Sequence, residues 1–347
     1  MIQRNLDEFL AHADIMLVDA MKMIDKNAKG ILFITDQTRH LLGSLTDGDI
    51  RRCIIKTGSL QKKASDAMMT NTKYFTLQTT EDPYAYMEAH KIHALPLLDG
   101  EGKILDISFL DDDGAKRGND LKGSKVVIMA GGKGTRLYPY TRILPKALIP
   151  IKEKTISEHI IDSFTAFGCE DFCFVLNYKK NMIKAYFNEQ PHKCRISYVE
   201  EERPLGTGGG IRLLKGMINE TFILTNCDIL IRDDISRIYR HHKEHGNEIT
   251  MVCSMKEYVL PYGVVHTGEG GTIQSMEEKP RMSYLVNTGC YVVEPGVIDA
   301  IPEDTEIGFP DIIEQYRKAG KKVGIYPISE GAWMDMGEMD LLEKALL

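Results

Sequence analysis

The chain has 347 residues, 43% of them hydrophobic, and a net charge of −7. That length accommodates two domains of roughly 150 residues each with packed cores, and the acidic balance excludes general nucleic-acid binding, which needs a basic surface. No apolar run approaches the ~18 residues of a membrane-spanning helix. The opening MIQRNLDEFLAHAD carries acids and polar residues, unlike a signal peptide. The seven cysteines show no C-x-x-C or paired spacing, the pattern of buried, reduced thiols in a cytoplasmic protein.

Residues 1–120 contain a weak repeat. Strand-like runs at 30–35 and 41–45 flank a turn at Asp36-Gln37, and runs at 94–98 and 103–107 flank a turn at Asp99-Gly100. Helical patterns at 14–27 and 81–90 precede the two hairpins. A unit that occurs twice is expected to bury its sheets against each other. The segment GSLTDGDIRR, 43–52, resembles the ribose-gripping end of a cystathionine-β-synthase (CBS) motif. The resemblance implies a tandem CBS (Bateman) module over residues 1–120. In it Thr46 and Asp49 would hold the ribose of a regulatory adenine nucleotide. A second reading of the same pair stays open: one of them caps the helical pattern at 50–56. The second copy keeps the spacing in Ser108 and Asp111 but has Leu105 where the motif has glycine, which implies that one nucleotide site is lost. Such modules dimerise and regulate a neighbouring domain, so a homodimer or higher homo-oligomer is expected. The polar run 111–125, DDDGAKRGNDLKGSK, has the composition of a linker to a second domain over 121–347.

Beyond the linker, strand-like runs at 126–130, 172–176, 195–199 and 222–225 alternate with helical patterns at 157–167, 180–188 and 209–217. The alternation predicts a mostly parallel sheet with helices on both faces. Denser strand-like runs follow at 249–254, 263–266, 272–277 and 285–293, which suggests an antiparallel portion bearing a second substrate. Ligands of such sheets bind outside the carboxyl ends of the strands. There the 126–130 run meets Gly131, Gly132 and Gly134, with Lys133, Arg136 and Lys146 close behind. A glycine turn with fixed cations suits a nucleoside triphosphate, because backbone N–H groups approach the phosphates with no side chain in the way. It is not a Walker A loop, since no Gly-Lys pair is followed by Ser or Thr at that spacing. It is not a dinucleotide fingerprint either, because the third glycine position is Leu137.

What remains, G-G-x-G-T-R-L-x-P-x-T-x-x-x-P-K, resembles the signature of sugar-1-phosphate nucleotidyltransferases. The resemblance runs over nearly all of 124–347 with its motifs in family order. It implies an α/β, Rossmann-like (GT-A-like) mixed sheet flanked by helices, Mg²⁺ as cofactor, and a nucleoside triphosphate and a sugar 1-phosphate as substrates. Ala130, Gly131, Gly132, Gly134 and Thr135 would hold the nucleotide, Arg136 the leaving pyrophosphate, and Lys146 the phosphates near the reacting centre. Asp228 after its strand and Asp335 in WMDMGEMDL would hold the metal; Glu338 stands where the family has Thr. Lys279 in E-E-K-P would meet the sugar phosphate, with Gly263, Glu278, Asn287 and Thr288 on the sugar. Leu205 to Gly210 resembles the L-G-T-A-G loop, placing Gly206, Thr207 and Gly208 flat against the base, with the following helix N-terminus facing it.

Glu201 stands just upstream of that loop. Guanine offers N1–H and N2–H₂ donors that one carboxylate can accept together, which points to GTP. A CBS pair fused ahead of the enzyme resembles the guanylyltransferases that activate glucosamine 1-phosphate in bacterial legionaminic acid synthesis. Mannose- or heptose-1-phosphate guanylyltransferases, and enzymes that use CTP, dTTP or UTP, are the alternatives. A non-catalytic nucleotide sensor is disfavoured by the intact Arg136, Lys146, Asp228 and Lys279. A glycosyltransferase would show D-x-D in the catalytic half, where Asp228 stands in Cys-Asp-Ile-Leu instead.

Overall fold

The computed structural model describes residues 6–110, 121–189 and 193–337. The chain forms two compact units. One comprises Met1–Lys116, Met255–Val286 and Ser329–Gly331; the other comprises Arg117–Ser254, Asn287–Ile328 and Ala332–Leu347.

The repeat in the first unit is real. One copy runs through strand Leu10–His12, helix Leu17–Asn27, strands Ile31–Thr35 and Leu41–Thr46, and helix Asp47–Thr57. The other runs through Phe75–Thr76, helix Pro83–His90, and strands Ala94–Leu98 and Ile104–Phe109. In each three-stranded sheet the short leading strand is parallel to the middle one and the last is antiparallel. The hairpin turns repeat their chemistry. Asp36 accepts from the N–H groups of Thr38 and His40, and Asp99 from those of Glu101 and Lys103. These bonds favour the charged carboxylates, and both acids sit below their ordinary pKa.

As the repeat predicts, the sheets share a core: Phe9, Phe33, Ala94, Leu98, Ile104, Ile107 and Phe109. Leu41 N–H donates to Gly102 O and Ile104 N–H to Arg39 O, so the two hairpins also pair with one another. Helix Leu17–Asn27 turns Leu17, Met21 and Ile24 inward at helical spacing. Those three residues and Met255 belong to a second cluster, on which Leu285 packs. The outer parts of two long strands, Ile249–Val259 and Arg281–Val293, thus belong with the first unit. Between them lies a two-stranded ribbon of Gly263–Thr267 and Ile273–Glu278.

The second unit is built on a seven-stranded mixed sheet. Its strands run, in spatial order, Arg195–Glu200, Asp171–Leu176, Lys125–Ala130, Phe222–Asn226, Arg281–Val293, Ile249–Val259 and Val323–Ile328. The first four are parallel; Arg281–Val293 runs antiparallel to Phe222–Asn226. Both faces are covered. Val126, Ile128, Phe172 and Phe174 point to helices Ile156–Thr165, Lys180–Glu189 and Ile235–His245, while Val127, Cys173 and Val175 point to Ile211, Val297, Phe309 and Ile312. A strand buried on both faces reads as a continuous apolar run, which is why these strands are visible in the sequence. All seven cysteines are free, six buried and Cys194 partly so.

One expected element differs. No regular helix spans 209–217. A single α turn, Gly206–Gly209, gives way to a 3-10 turn, Gly210–Leu214, and the chain leaves it at Gly216 with φ +76°.

Candidate active site

The carboxyl ends of the parallel strands carry the site. Lys125–Ala130 runs directly into Gly131–Gly134. Gly134 has φ +66°, and a Cβ there would stand 2.9 Å from Thr141 Cγ2 and 3.1 Å from Lys146 Cβ. Thr141 Oγ1 donates to Gly134 O at 3.0 Å, so the glycine turn is closed against the segment that delivers Lys146. Arg136 lies on the 3-10 turn Thr135–Leu137, exposed to solvent and without an ion-pair partner among the described residues.

Lys146, Asp228 and Asp335 come together. The Lys146 ammonium donates to Asp228 Oδ2, with both side chains largely buried. Strand Ile229–Ile231 pairs with Trp333–Asp335, setting Asp335 opposite Ile229, and Met336 N–H donates to Asp228 O at 2.8 Å. Gly337 closes the cluster: its N–H donates to Asp335 Oδ1 at 2.8 Å. A Cβ on Gly337 would stand 2.5 Å from Asp228 Oδ2 and 2.9 Å from Asp335 Oδ1, and would collide with Lys146 Nζ. The two carboxylates therefore face one point, and an ammonium already sits on one of them as a stand-in cation. Hard oxygen donors with room for further oxygens suit Mg²⁺, which normally takes one or two carboxylates and completes its shell with water and phosphate. These residues fit the cofactor that the sequence suggests. No group of three or more His, Cys, Asp or Glu positioned for a metal occurs among the described residues.

Glu201 is 5% exposed, and its Oε1 has no hydrogen-bond partner. Burial pushes its carboxyl up to about 7, opposed by a hydrogen bond from the Leu205 backbone. Cβ atoms built on Gly131 and Gly210 would run into its two oxygens, the first at 2.7 Å from Oε2. Both glycines are therefore needed for the carboxyl group to lie where it does. Asn177 Nδ2 fixes the Glu201 backbone carbonyl at 3.1 Å. A buried carboxylate oxygen left without a donor is costly unless a ligand supplies one.

Other residues singled out in the sequence have different surroundings. Gly206, Gly208 and Gly209 approach the 305–308 backbone; a Cβ on Gly206 would lie 2.6 Å from Ile307 O and one on Gly208 2.5 Å from Ile312 Cδ1. The N–H groups of Gly208 and Gly209 both donate to Ile307 O, and Thr207 Oγ1 accepts from Phe309 N–H. Chain packing thus accounts for these glycines, and the expected helix N-terminus is a single turn. Thr288 is 2% exposed; its hydroxyl donates to Val252 O and accepts from Cys290 N–H, which commits it to the fold. Asn287 is exposed, with its amide on Tyr291 Oη and Gly289 N–H.

Gly263, Glu278 and Lys279 lie in the first unit, on and just after the ribbon. Gly263 is opposite Glu278, and Lys279 is exposed at φ +49°. Thr46 and Asp49 form a reciprocal helix cap: Thr46 Oγ1 donates to Asp49 Oδ2 at 2.6 Å, Asp49 N–H returns to Thr46 Oγ1, and Arg52 takes Asp49 Oδ1 at 2.5 Å. The capping reading describes this pair, and its oxygens are engaged within the helix start. Asp111, its partner in the second copy, and Glu338 lie outside the described residues. Gly337 and Asn177 were not legible as site residues. Asn177 carried one usable signal, its place just past the end of a parallel strand.

The nucleotidyl transferase family model matches residues 125–347. The chain belongs to this family. Among its relatives, the mannose-1-phosphate guanylyltransferase catalytic subunit beta of Xenopus tropicalis is 32% identical over 226 residues, covering 62% of this chain and 61% of the relative. The bifunctional protein GlmU of Methanococcus maripaludis is 34% identical over 220 residues, covering 61% and 51%. The chain therefore spans about three fifths or less of the length of these relatives. The crystal structure of HddC from Yersinia pseudotuberculosis complexed with GMP-PN superposes with a TM-score of 0.51 at 23% identity, over 64% of this chain and 98% of that one. It shares the α/β nucleotidyltransferase fold. No helix among the described residues is long and apolar enough to cross a membrane.

Proposed function

We propose that this nucleotidyl transferase joins a nucleoside triphosphate, GTP, to a sugar 1-phosphate, glucosamine 1-phosphate, releasing pyrophosphate. The observation that carries the reading is the convergence of Lys146, Asp228 and Asp335 on Gly337, beside a glycine turn at the carboxyl edge of the sheet. A sugar phosphate oxygen forms a bond to the α-phosphorus while the bond from that phosphorus to the β-bridging oxygen breaks, and pyrophosphate departs. The substrate phosphate is already ionised at neutral pH, so no protein nucleophile or base is required.

The chain's work is electrostatic, because two anions must meet. A cation about 4 Å from a phosphate contributes roughly 4 kcal/mol at an effective dielectric near 20. Lys146 holds the phosphates near the reacting centre and Arg136 the leaving pyrophosphate. The resemblance assigns Lys279 to the sugar phosphate, and Gly263, Glu278 and Asn287 to the sugar. Asp228 and Asp335 would hold Mg²⁺, which supplies charge neutralisation at the triphosphate. The choice of GTP is supported by Glu201, a carboxylate beside the glycine turn whose two oxygens together suit the paired N–H donors of guanine, and by guanylyltransferases among the relatives.

The choice of glucosamine rests on the front repeat, read as a regulatory, dimerising CBS pair over 1–120 that responds to an adenine nucleotide. A second reading, mannose 1-phosphate as acceptor, is favoured by the names of the relatives. Pyrophosphate release measured with four nucleoside triphosphates against glucosamine, mannose, glucose and heptose 1-phosphates tests this. A GTP and glucosamine 1-phosphate preference supports the first reading. Preference for mannose 1-phosphate selects the second, and preference for CTP or dTTP removes the role given to Glu201.

A further inference from the structure

The three residues after strand Asp171–Leu176 reach three separate parts of the site. Asn177 holds the Glu201 carbonyl at 3.1 Å, and Tyr178 N–H donates to Gly131 O at 3.3 Å. Lys179 reaches back 36 to 38 positions in the sequence. Its ammonium donates to Thr141 O at 3.3 Å, Arg142 O at 2.5 Å and Ile143 O at 2.8 Å.

Those acceptors have a clear origin. The helical turn Tyr140–Ile143 is four residues long, and its Tyr140 carbonyl receives the N–H of Leu144. Carbonyls at a helix end lack partners within the helix and carry partial negative charge. An ammonium has three donors, and here all three go to these carbonyls. The amine is also 5.2 Å from the centre of the Tyr178 ring, a cation–π contact that adds to its anchoring.

The turn matters because it bridges the two cations of the phosphate loop. It lies between Arg136 and Lys146, its Thr141 hydroxyl bonds the Gly134 carbonyl, and Lys146 Cβ lies 3.1 Å from where a Cβ on Gly134 would stand. Lys179 itself sits at φ +53°, a left-handed conformation that suits Asn or Gly better than Lys.

We propose that Lys179 is a positioning residue that locks the 140–143 turn, and through it sets Arg136 and Lys146 for the triphosphate. This rests on the reading of that loop as the triphosphate site. The deciding variants are Lys179→Asn, which relieves the backbone while removing the cation, and Lys179→Ala with added ethylammonium. Loss of charge-assisted hydrogen bonds at a positioning site should raise the GTP KM about tenfold. The sugar 1-phosphate KM should change less than about twofold, and the melting temperature of Lys179→Asn should equal or exceed that of the parent protein. Ethylammonium should restore part of the lost activity of Lys179→Ala in a saturable way.

An unchanged GTP KM in both variants overturns the proposal. So does a rise in both KM values accompanied by a fall in melting temperature, which marks a merely structural lysine. Hydrogen exchange decides the matter independently of turnover. The Arg142 and Leu144 amides, bonded to Pro139 O and Tyr140 O, should exchange about tenfold faster in Lys179→Asn; unchanged exchange contradicts the lock. If the parent protein releases no pyrophosphate with any substrate pair, the functional reading fails, and the exchange result still settles the role of Lys179.

Discussion

Lys146 and Asp228, 82 positions apart in sequence, neutralise one another at the carboxyl edge of the sheet, and Gly337 leaves them the space to do so. A buried ammonium and carboxylate tolerate removal from water when paired. The pair keeps both charges close to the glycine turn, and an incoming polyanion competes with Asp228 for Lys146.

Gly337 is the most economical probe of that arrangement. An added methyl in Gly337→Ala cannot be placed without displacing Lys146 or Asp228. Turnover should fall by about 10², the scale of a misplacement near 1 Å at a reacting centre, while the circular dichroism spectrum stays that of the parent. Parental turnover in the variant would show that the three side chains do not act as a unit.

Glu201 predicts two pH effects of defined sign. Its folded carboxyl is raised from 4.5 to about 7, so the folded state holds a proton that the unfolded state has lost. The stability from this group is complete below pH 4.5, declines as pH rises toward 7, and is gone above it. Glu201→Gln should remove this decline and stabilise the protein at pH 8 by on the order of 2–3 kcal/mol, read from urea unfolding. Guanine requires the ionised carboxylate. GTP affinity in the parent should therefore weaken about tenfold from pH 8 to pH 6, and calorimetric titration showing no such slope would separate Glu201 from the base.

Thr46 caps helix Asp47–Thr57. Thr46→Ala should lower stability by about 1 kcal/mol, measured by chemical denaturation. A neutral substitution would mean that the reciprocal bonds with Asp49 contribute little.

How much could be read in advance follows from what each residue touches. Strand Lys125–Ala130 and its glycines were legible because a doubly buried strand is continuously apolar and Gly134 faces a real steric limit. Asp228 and Asp335 were legible as motif positions, while their meeting depends on a two-stranded pairing far apart in sequence. The 209–217 helix was misjudged because Gly206, Gly208 and Gly209 answer to the close 305–308 backbone, a tertiary demand that local propensity does not encode. Thr46 and Asp49 have the same spacing whether they cap a helix or grip a ribose, and the bonds observed are those of the cap. Segment 255–286 joins the first unit through Met255 and Leu285, and nothing in its alternation announces which core it will enter. Lys179 gave no signal at all, since its partners are main-chain carbonyls that any sequence would supply.

The most direct test of the central claim is single-turnover pyrophosphate release from GTP and glucosamine 1-phosphate with Mg²⁺, comparing the parent protein with Lys146→Ala and Asp228→Asn. The account predicts one pyrophosphate per sugar nucleotide formed in the parent, and a loss on the order of 10²–10³ in rate in each variant. Parental rates in both variants would contradict it.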